Sequence, residues 1–194
     1  MVKVKVKETN EFIPRLTCDE WEIVEDKFNI DDNYANETLF ALGNGYMGTR
    51  GNFEEGFTGA IGTGIKGTYI NGFYESEVIK YAEVAYGYAE KSQTMLNVTD
   101  FKIIKLFIED EEFNMLEGEI INYERTLNFK NGILKRNLMW RSPKGHEIQI
   151  CINRLISFNN KYIGVINYEV TPMNFNGKIT LISSLDGDVT NLIA

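Results

Sequence analysis

Residues 133–158 read ILKRNLMWRSPKGHEIQICINRLISF, and their rhythm decides the fold class. In the first part Leu134, Leu138 and Trp140 share one parity. In the second Ile148, Ile150 and Ile152 do. Apolar side chains on every other residue fall on one face of a strand. Between the two runs Ser142-Pro143-Lys144-Gly145 supplies turn chemistry, so the pair reads as a hairpin. The same punctuation extends outward. FNNK (158–161) leads to YIGVINYEV, and TPMNFNG (171–177) leads to KITLISSL. Upstream, TDFKIIKLFIED and EGEIINYERTLNF flank the acidic turn EDEEFN, and Asn131-Gly132 is a favoured hairpin dipeptide. Strands arrive every ~10 to 14 residues, the pattern of an all-β, large antiparallel sandwich or barrel. No stretch of about a dozen residues has strong helical periodicity. EVIKYAEVAYGYAEK (77–91) comes nearest, and Gly87 interrupts it.

The chain has 194 residues, 43% hydrophobic, which is enough for a core in one large domain or two small ones. The formal net charge of −8 argues against a nucleic-acid partner, because phosphate binding needs a basic surface. No apolar run approaches the ~20 residues that span a bilayer, and the Lys/Val alternation at residues 2–7 lacks the apolar core of a secretory signal. That alternation reads as a solvated or edge strand. Cys18 and Cys151 have no metal-ligand spacing and read as free thiols of a cytoplasmic protein. The sequons Asn36-Glu37-Thr38 and Asn97-Val98-Thr99 are chance matches on this reading.

Gly43-Asn44-Gly45-Tyr46-Met47-Gly48 fits the G-x-G-x-x-G pattern of dinucleotide loops, and Gly62–Gly67 fits it again. ETLFAL, before the first match, suits a strand. A nucleotide loop must then open a helix whose N-terminal amides hold the pyrophosphate. TRGNFEEG and TYINGFYE follow instead, so the expectation is turns and bulges rather than a phosphate cradle. Glu54-Glu55, Asp31-Asp32 and Asp186/Asp188 are adjacent carboxylates in a chain with 28 acidic residues; adjacency there predicts solvated surface. His146 is the single histidine, and no Ser or Cys nucleophile has a recognisable context beside it. Asp186-Gly187-Asp188 lacks the rest of an EF-hand. The residues alone give no catalytic constellation, metal site or cofactor.

ETLFALGNGYMGTRGNFEEG (37–56) is long and distinctive, and it resembles the N-terminal domain of glycoside hydrolase family 65. WEIVE from Trp21 resembles the family's entry strand, and GTYINGFYE (67–75) its next block. YERTLNFKNGILKRNLMWRSPKG (123–145) and SSLDGDVTN (183–191) are similar to later family patterns in the same order. The resemblance runs over roughly residues 20–194. It implies a super-sandwich of the galactose mutarotase-like kind, here a single domain over residues 1–194. It also implies a helical linker and an (α/α)6 barrel carrying the general acid and the phosphate site. On that reading the closing LDGDVTNLIA is a cut before the barrel, and this segment is non-catalytic. The family includes maltose, trehalose, kojibiose and nigerose phosphorylases, some members being hydrolases. The implied reaction is inverting phosphorolysis of an α-linked disaccharide by inorganic phosphate, giving β-glucose 1-phosphate. No metal or cofactor is implied. The implied partner is the chain's own barrel, with a homodimer possible.

Asn44, Tyr46 and Arg50 are the candidate substrate-binding residues, on a loop that either walls the sugar pocket of the intact protein or packs within its own sandwich. Arg50 has Glu54 or Glu55 as alternative structural partners. The competing reading is a free-standing carbohydrate-binding module, for which Tyr81, Tyr86 and Tyr88 offer the best exposed platform.

Overall fold

Strict alternation in the 133–156 region becomes the spine of the structure, a computed structural model that describes residues 16–57 and 59–191. The Lys/Val run at residues 2–7 lies outside the described residues. Along the chain, β1 (Thr17–Cys18) and β2 (Glu22–Glu25) precede α1 (Ile30–Leu39). A small hairpin follows, β3 (Leu42–Gly43) and β4 (Met47–Thr49), then a long one, β5 (Thr68–Val78) and β6 (Lys91–Asn97). Next come β7 (Ile104–Ile108), β8 (Glu111–Glu112), β9 (Glu119–Asn128), β10 (Ile133–Arg141), β11 (Glu147–Ile156), β12 (Gly164–Pro172) and β13 (Ile179–Ser183). Every strand pairing is antiparallel.

The strands form a six-stranded sheet in the order β1-β2-β9-β10-β11-β12, a three-stranded sheet β13-β7-β8 and a four-stranded sheet β3-β4-β5-β6. In the large sheet Tyr123, Leu138, Ile150 and Val170 lie opposite one another across β9 to β12. With Trp140 and Ile148 they present one apolar face. Leu106, Ile108, Phe113 and Met115 of the small sheet and its turns cover that face, giving a sandwich core. The Trp140 ring meets Phe113 edge-on at 5.2 Å, and its Nε1–H donates to the Glu117 carbonyl at 2.7 Å. The indole is fully buried with its one polar group satisfied. Each such side chain contributes about 1.5–3 kcal/mol on burial.

Two expectations are corrected here. The sequence shows no helical stripe, yet α1 is a ten-residue helix. Asn29 caps it, its side chain accepting the Asp31 N–H at 3.1 Å, and Asp31 and Asp32 sit in the first turn, where the helix dipole favours them. The helix was illegible because its buried side chains are Asn33, Asn36 and Glu37 rather than aliphatic residues. A helix that buries polar groups has no hydrophobic period to read. As a consequence ETLFAL is not a strand: Glu37–Leu39 close α1, and only Leu42 and Gly43 are extended.

The first glycine motif is the β3–β4 turn. Asn44 N–H donates to the Met47 carbonyl at 3.1 Å, and Gly45 takes φ +84°, a conformation that favours glycine. The helix comes before this loop, and among the described residues no helix opens from it. At Gly51 the chain passes so close to α1's end that a Cβ would stand 2.8 Å from Phe40 Cβ. The second motif is an irregular run leading into β5. Cys18 and Cys151 are free thiols. Asn36 is buried, and Asn97 is hydrogen-bonded through its side chain to Thr68, Lys66 and Thr190. No helix among the described residues is long and apolar enough to cross a membrane.

Candidate functional site

The segment Arg50–Gly56 crosses the other half of the large sheet as irregular chain, and irregular backbone that is buried needs donors for its carbonyls. Two of three arginines on adjacent strands supply them. Arg125 Nη1 donates to the Gly51 carbonyl at 3.0 Å. Arg154 donates to the Asn52 carbonyl at 3.0 Å and to the Arg50 carbonyl at 3.3 Å. Arg136 grips the side chains instead, donating to Glu55 at 2.8 Å through Nη1 and, through Nη2, to Glu54 at 3.1 Å and to the second Glu55 oxygen. Arg154 also pairs with Glu54 at 3.1 Å. The Phe53 ring centroid lies 4.4 Å from the Arg136 guanidinium and 5.1 Å from that of Arg125.

The Glu54-Glu55 pair was expected on solvated surface. At 4% and 7% exposure both residues are buried. Burial alone would lower the Arg136 pKa, but Glu55 and then Glu54 outweigh it and hold the guanidinium above its ordinary range. For Arg154 burial prevails over Glu54, and its pKa falls. Around this hub Arg125 Nε donates to Glu25 at 2.8 Å, as does the Tyr123 hydroxyl, and Asn36 donates to the other Glu25 oxygen at 2.6 Å. Burial, with Glu25 beside it, pushes the Tyr123 phenol far up. Lys102, fully buried, donates to Asp100 at 2.6 Å and Thr68 at 2.9 Å; burial lowers its pKa despite Asp100.

The three candidate residues from the sequence fall into two places. Asn44 and Tyr46 sit on the β3–β4 turn. Asn44 Oδ1 accepts the Tyr46 and Met47 amides at 3.0 and 2.9 Å, while its Nδ2 donates to the carbonyls of Ser157 at 2.6 Å and Lys161 at 3.2 Å. The Tyr46 ring meets Tyr162 edge-on at 5.0 Å, with Lys161 Nζ 4.9 Å from the Tyr46 centroid. Arg50 points to the helix instead. It donates to the Tyr34 carbonyl at 2.9 Å, lies 3.7 Å from Glu37 and stands 5.3 Å from the Tyr34 ring centroid. Its carboxylate partner is Glu37, not Glu54 or Glu55, which Arg136 holds. The buried arginines of the hub escaped sequence reading. The one available signal was their parity: Arg136 and Arg154 share the register of Leu134, Leu138, Ile150 and Ile152.

Beside the hub a cleft of about 620 Å³ opens between the 56–66 segment and the small sheet. Phe57, Lys66, Lys105, Glu112 and Glu117 are among its lining. Its volume suits a small ligand, but Lys105 and Glu112 are already paired at 2.7 Å, and Lys66 is paired with Asp186 at 2.7 Å. No group of three or more His, Cys, Asp or Glu side chains positioned to hold a metal occurs among the described residues. His146 is engaged through Nδ1 with Glu111 at 2.9 Å, and the Ser142 hydroxyl donates to the same oxygen at 2.8 Å. The serine therefore spends its proton on the carboxylate and not on the imidazole. Tyr81, Tyr86 and Tyr88 are exposed at the tip of the β5–β6 hairpin. Tyr81 and Tyr88 pack on each other at 52°, so they offer no flat shared platform.

Comparison with known proteins agrees with this architecture. Residues 23–193 match the family described as Glycosyl hydrolase family 65, N-terminal domain. The chain is 48% identical over 179 residues to alpha,alpha-trehalose phosphorylase of Thermoanaerobacter brockii, a match covering 92% of the chain and 23% of that protein. It is 32% identical over 171 residues to kojibiose phosphorylase of Halothermothrix orenii, covering 88% of the chain and 20% of that protein. A solved structure provisionally assigned as a kojibiose phosphorylase from the human microbiome superimposes with a TM-score of 0.71 at 29% identity, over 86% of the chain and 22% of that structure. The chain thus spans about a fifth to a quarter of the length of the relatives it matches.

Proposed function

This chain belongs to the N-terminal domains of glycosyl hydrolase family 65, and from that premise we propose that it serves a disaccharide phosphorylase as a rigid, non-catalytic N-terminal part. The whole protein would cleave an α-linked glucosyl disaccharide with inorganic phosphate, with inversion, to β-glucose 1-phosphate and a free sugar. A carboxylic acid would protonate the leaving oxygen while phosphate attacks the opposite face. Those groups belong to the larger part of the protein. The observation that carries this reading is the 48% identity to a trehalose phosphorylase across 92% of the chain. In the relatives this segment is joined to a much longer polypeptide, which would be the barrel it supports. We read the whole protein as cytoplasmic, with homodimerisation possible and no cofactor.

Within that reading Asn44, Tyr46 and Arg50 help to wall the sugar pocket. What supports this is the partly exposed position of all three, Asn44 and Tyr46 on the β3–β4 turn and Arg50 just past β4, where Arg154 holds the Arg50 carbonyl. In the longer protein, phosphate-dependent release of glucose 1-phosphate from trehalose, kojibiose, maltose and nigerose tests the activity. Release with one of these sugars is expected; hydrolysis without a phosphate requirement would make the protein a hydrolase instead. For Arg50→Ala in that protein we expect a raised KM or lowered kcat. Unchanged kinetics with unchanged melting would remove its role in the pocket.

A further inference from the structure

Beyond Ile70 the four-stranded sheet narrows to a ribbon. β4 stops opposite Ile70, so among the described residues Tyr74–Val78 and Lys91–Met95 pair only with each other. Every residue from Asn71 to Val78 and from Lys80 to Met95 is exposed. A two-stranded ribbon with both faces in water is marginal by itself. The register makes this one two-sided, because residues directly opposite in an antiparallel pair share a face. On one side Tyr74 meets Met95, Ser76 meets Gln93 and Val78 meets Lys91. On the other Glu75 meets Thr94 and Glu77 meets Ser92. The second face is acidic and hydroxylic and suits solvent. The first carries Tyr74, Val78 and Met95, which stand 45%, 68% and 39% exposed. Phe73, at the irregularity between Tyr69 and Tyr74, is exposed too. An antiparallel sheet with one apolar and one polar face packs its apolar face on something.

The course of the chain identifies the cover. Asn191 Oδ1 accepts the Asn97 N–H at 2.7 Å, and its Nδ2 donates to the Met95 carbonyl at 3.0 Å. Asn97 Nδ2 donates to the Thr190 carbonyl at 3.3 Å. The end of the described segment is thereby tied to β6 at Met95, a residue of the apolar face. In the relatives this N-terminal segment makes up 20–23% of the protein. Whatever follows it there sets out beside the ribbon.

We propose that the apolar face of the β5–β6 ribbon is a docking surface for the polypeptide that follows this segment in the longer protein, with Tyr74, Val78 and Met95 packed on an apolar surface of that part and Glu75 and Glu77 left in water. The proposal rests on the reading of the chain as the N-terminal part of a phosphorylase. A partner tethered next to Met95 meets the ribbon at the high effective concentration of an intramolecular contact, an advantage that a second copy arriving from solution lacks. Tyrosine and methionine on the face match the composition of interface cores, from which charged residues are depleted.

The test is hydroxyl-radical footprinting of this chain and of the longer protein. Labelling of Tyr74 and Met95 should fall severalfold in the longer protein. Equal labelling in the two would overturn the proposal. Protection that vanishes when the longer protein is diluted to monomers would overturn it too, by giving the face to a second copy. A pair of variants checks the sidedness. In the longer protein Val78→Lys should lower the melting temperature and restore labelling of Tyr74, whereas Glu77→Lys on the opposite face should do neither; equal effects would refute the docking. Protection without phosphate-dependent cleavage would sustain the docking and sink the phosphorylase reading. Cleavage with the ribbon fully labelled would do the reverse.

Discussion

The buried face of the six-stranded sheet is built in two ways. One half, around Leu138, Trp140, Ile148 and Ile150, is apolar and meets another sheet. The other, around Arg125, Arg136 and Arg154, is ionic and meets irregular chain. The difference follows from what each half covers. Strands of the small sheet arrive with most of their backbone already paired in ladders, so hydrocarbon suffices. The Arg50–Gly56 segment arrives with bare carbonyls and two carboxylates. Hydrocarbon over it would strand the Arg50, Gly51 and Asn52 carbonyls and both carboxylates, at roughly 1–3 kcal/mol for each neutral group and more for a charge. Arginine answers both needs, because its planar fork makes several directed bonds and its face stacks on Phe53.

The contrast predicts unequal costs. Arg136→Met leaves Glu54 and Glu55 buried without their main partner, and should cost about 3–5 kcal/mol in urea unfolding. Adding Glu55→Leu to that variant should recover a large part of the loss, since it removes the stranded carboxylate while Glu54 keeps Arg154 as its partner. Failure of this rescue would mean that the hub acts through packing alone. In the apolar half, Leu138→Ala should cost about 2–4 kcal/mol. It should gain nothing from a compensating charge change, and a gain would break the division between the halves.

Smaller effects are expected where the sandwich is clasped at its end by Glu111. Burial raises the Glu111 pKa, but hydrogen bonds from Ser142, His146 and the Lys144 amide outweigh it and hold it below its ordinary 4.5. A depressed carboxyl contributes stability above the unfolded-state value and loses it as pH falls through the folded value. The melting temperature should therefore drop below pH 4.5, and less steeply in Glu111→Gln; parallel acid limbs would refute the clasp. Smallest of all, Tyr86→Ser at the fully exposed hairpin tip should change unfolding free energy by less than about 0.5 kcal/mol. A larger loss in this chain would show that the tip is covered.

Much of the fold was legible because strand alternation is a local property. Leu134 to Trp140 and Ile148 to Ile152 announce their inward face without reference to anything else. The helix was not legible, since Asn33, Asn36 and Glu37 face inward only to satisfy Glu25, the Ile65 amide, the Thr63 carbonyl and Arg50. Glu54 and Glu55 looked like surface for the same reason. Their partner Arg136 lies some 80 residues away, and nothing near them in sequence reveals it. Glu54 and Glu55, the alternative partners read for Arg50, are held by Arg136, and Arg50 meets Glu37 instead.

By itself, the sequence determined the strand spacing, the antiparallel class and the turn character of the glycine motifs. Each is written in neighbouring residues, where sterics and side-chain period act. Only the tertiary structure decided which charges are buried and what holds the Arg50–Gly56 segment. A charge is stable in the interior only beside a specific partner, and those partners are brought together by register across the sheet, not by proximity along the chain.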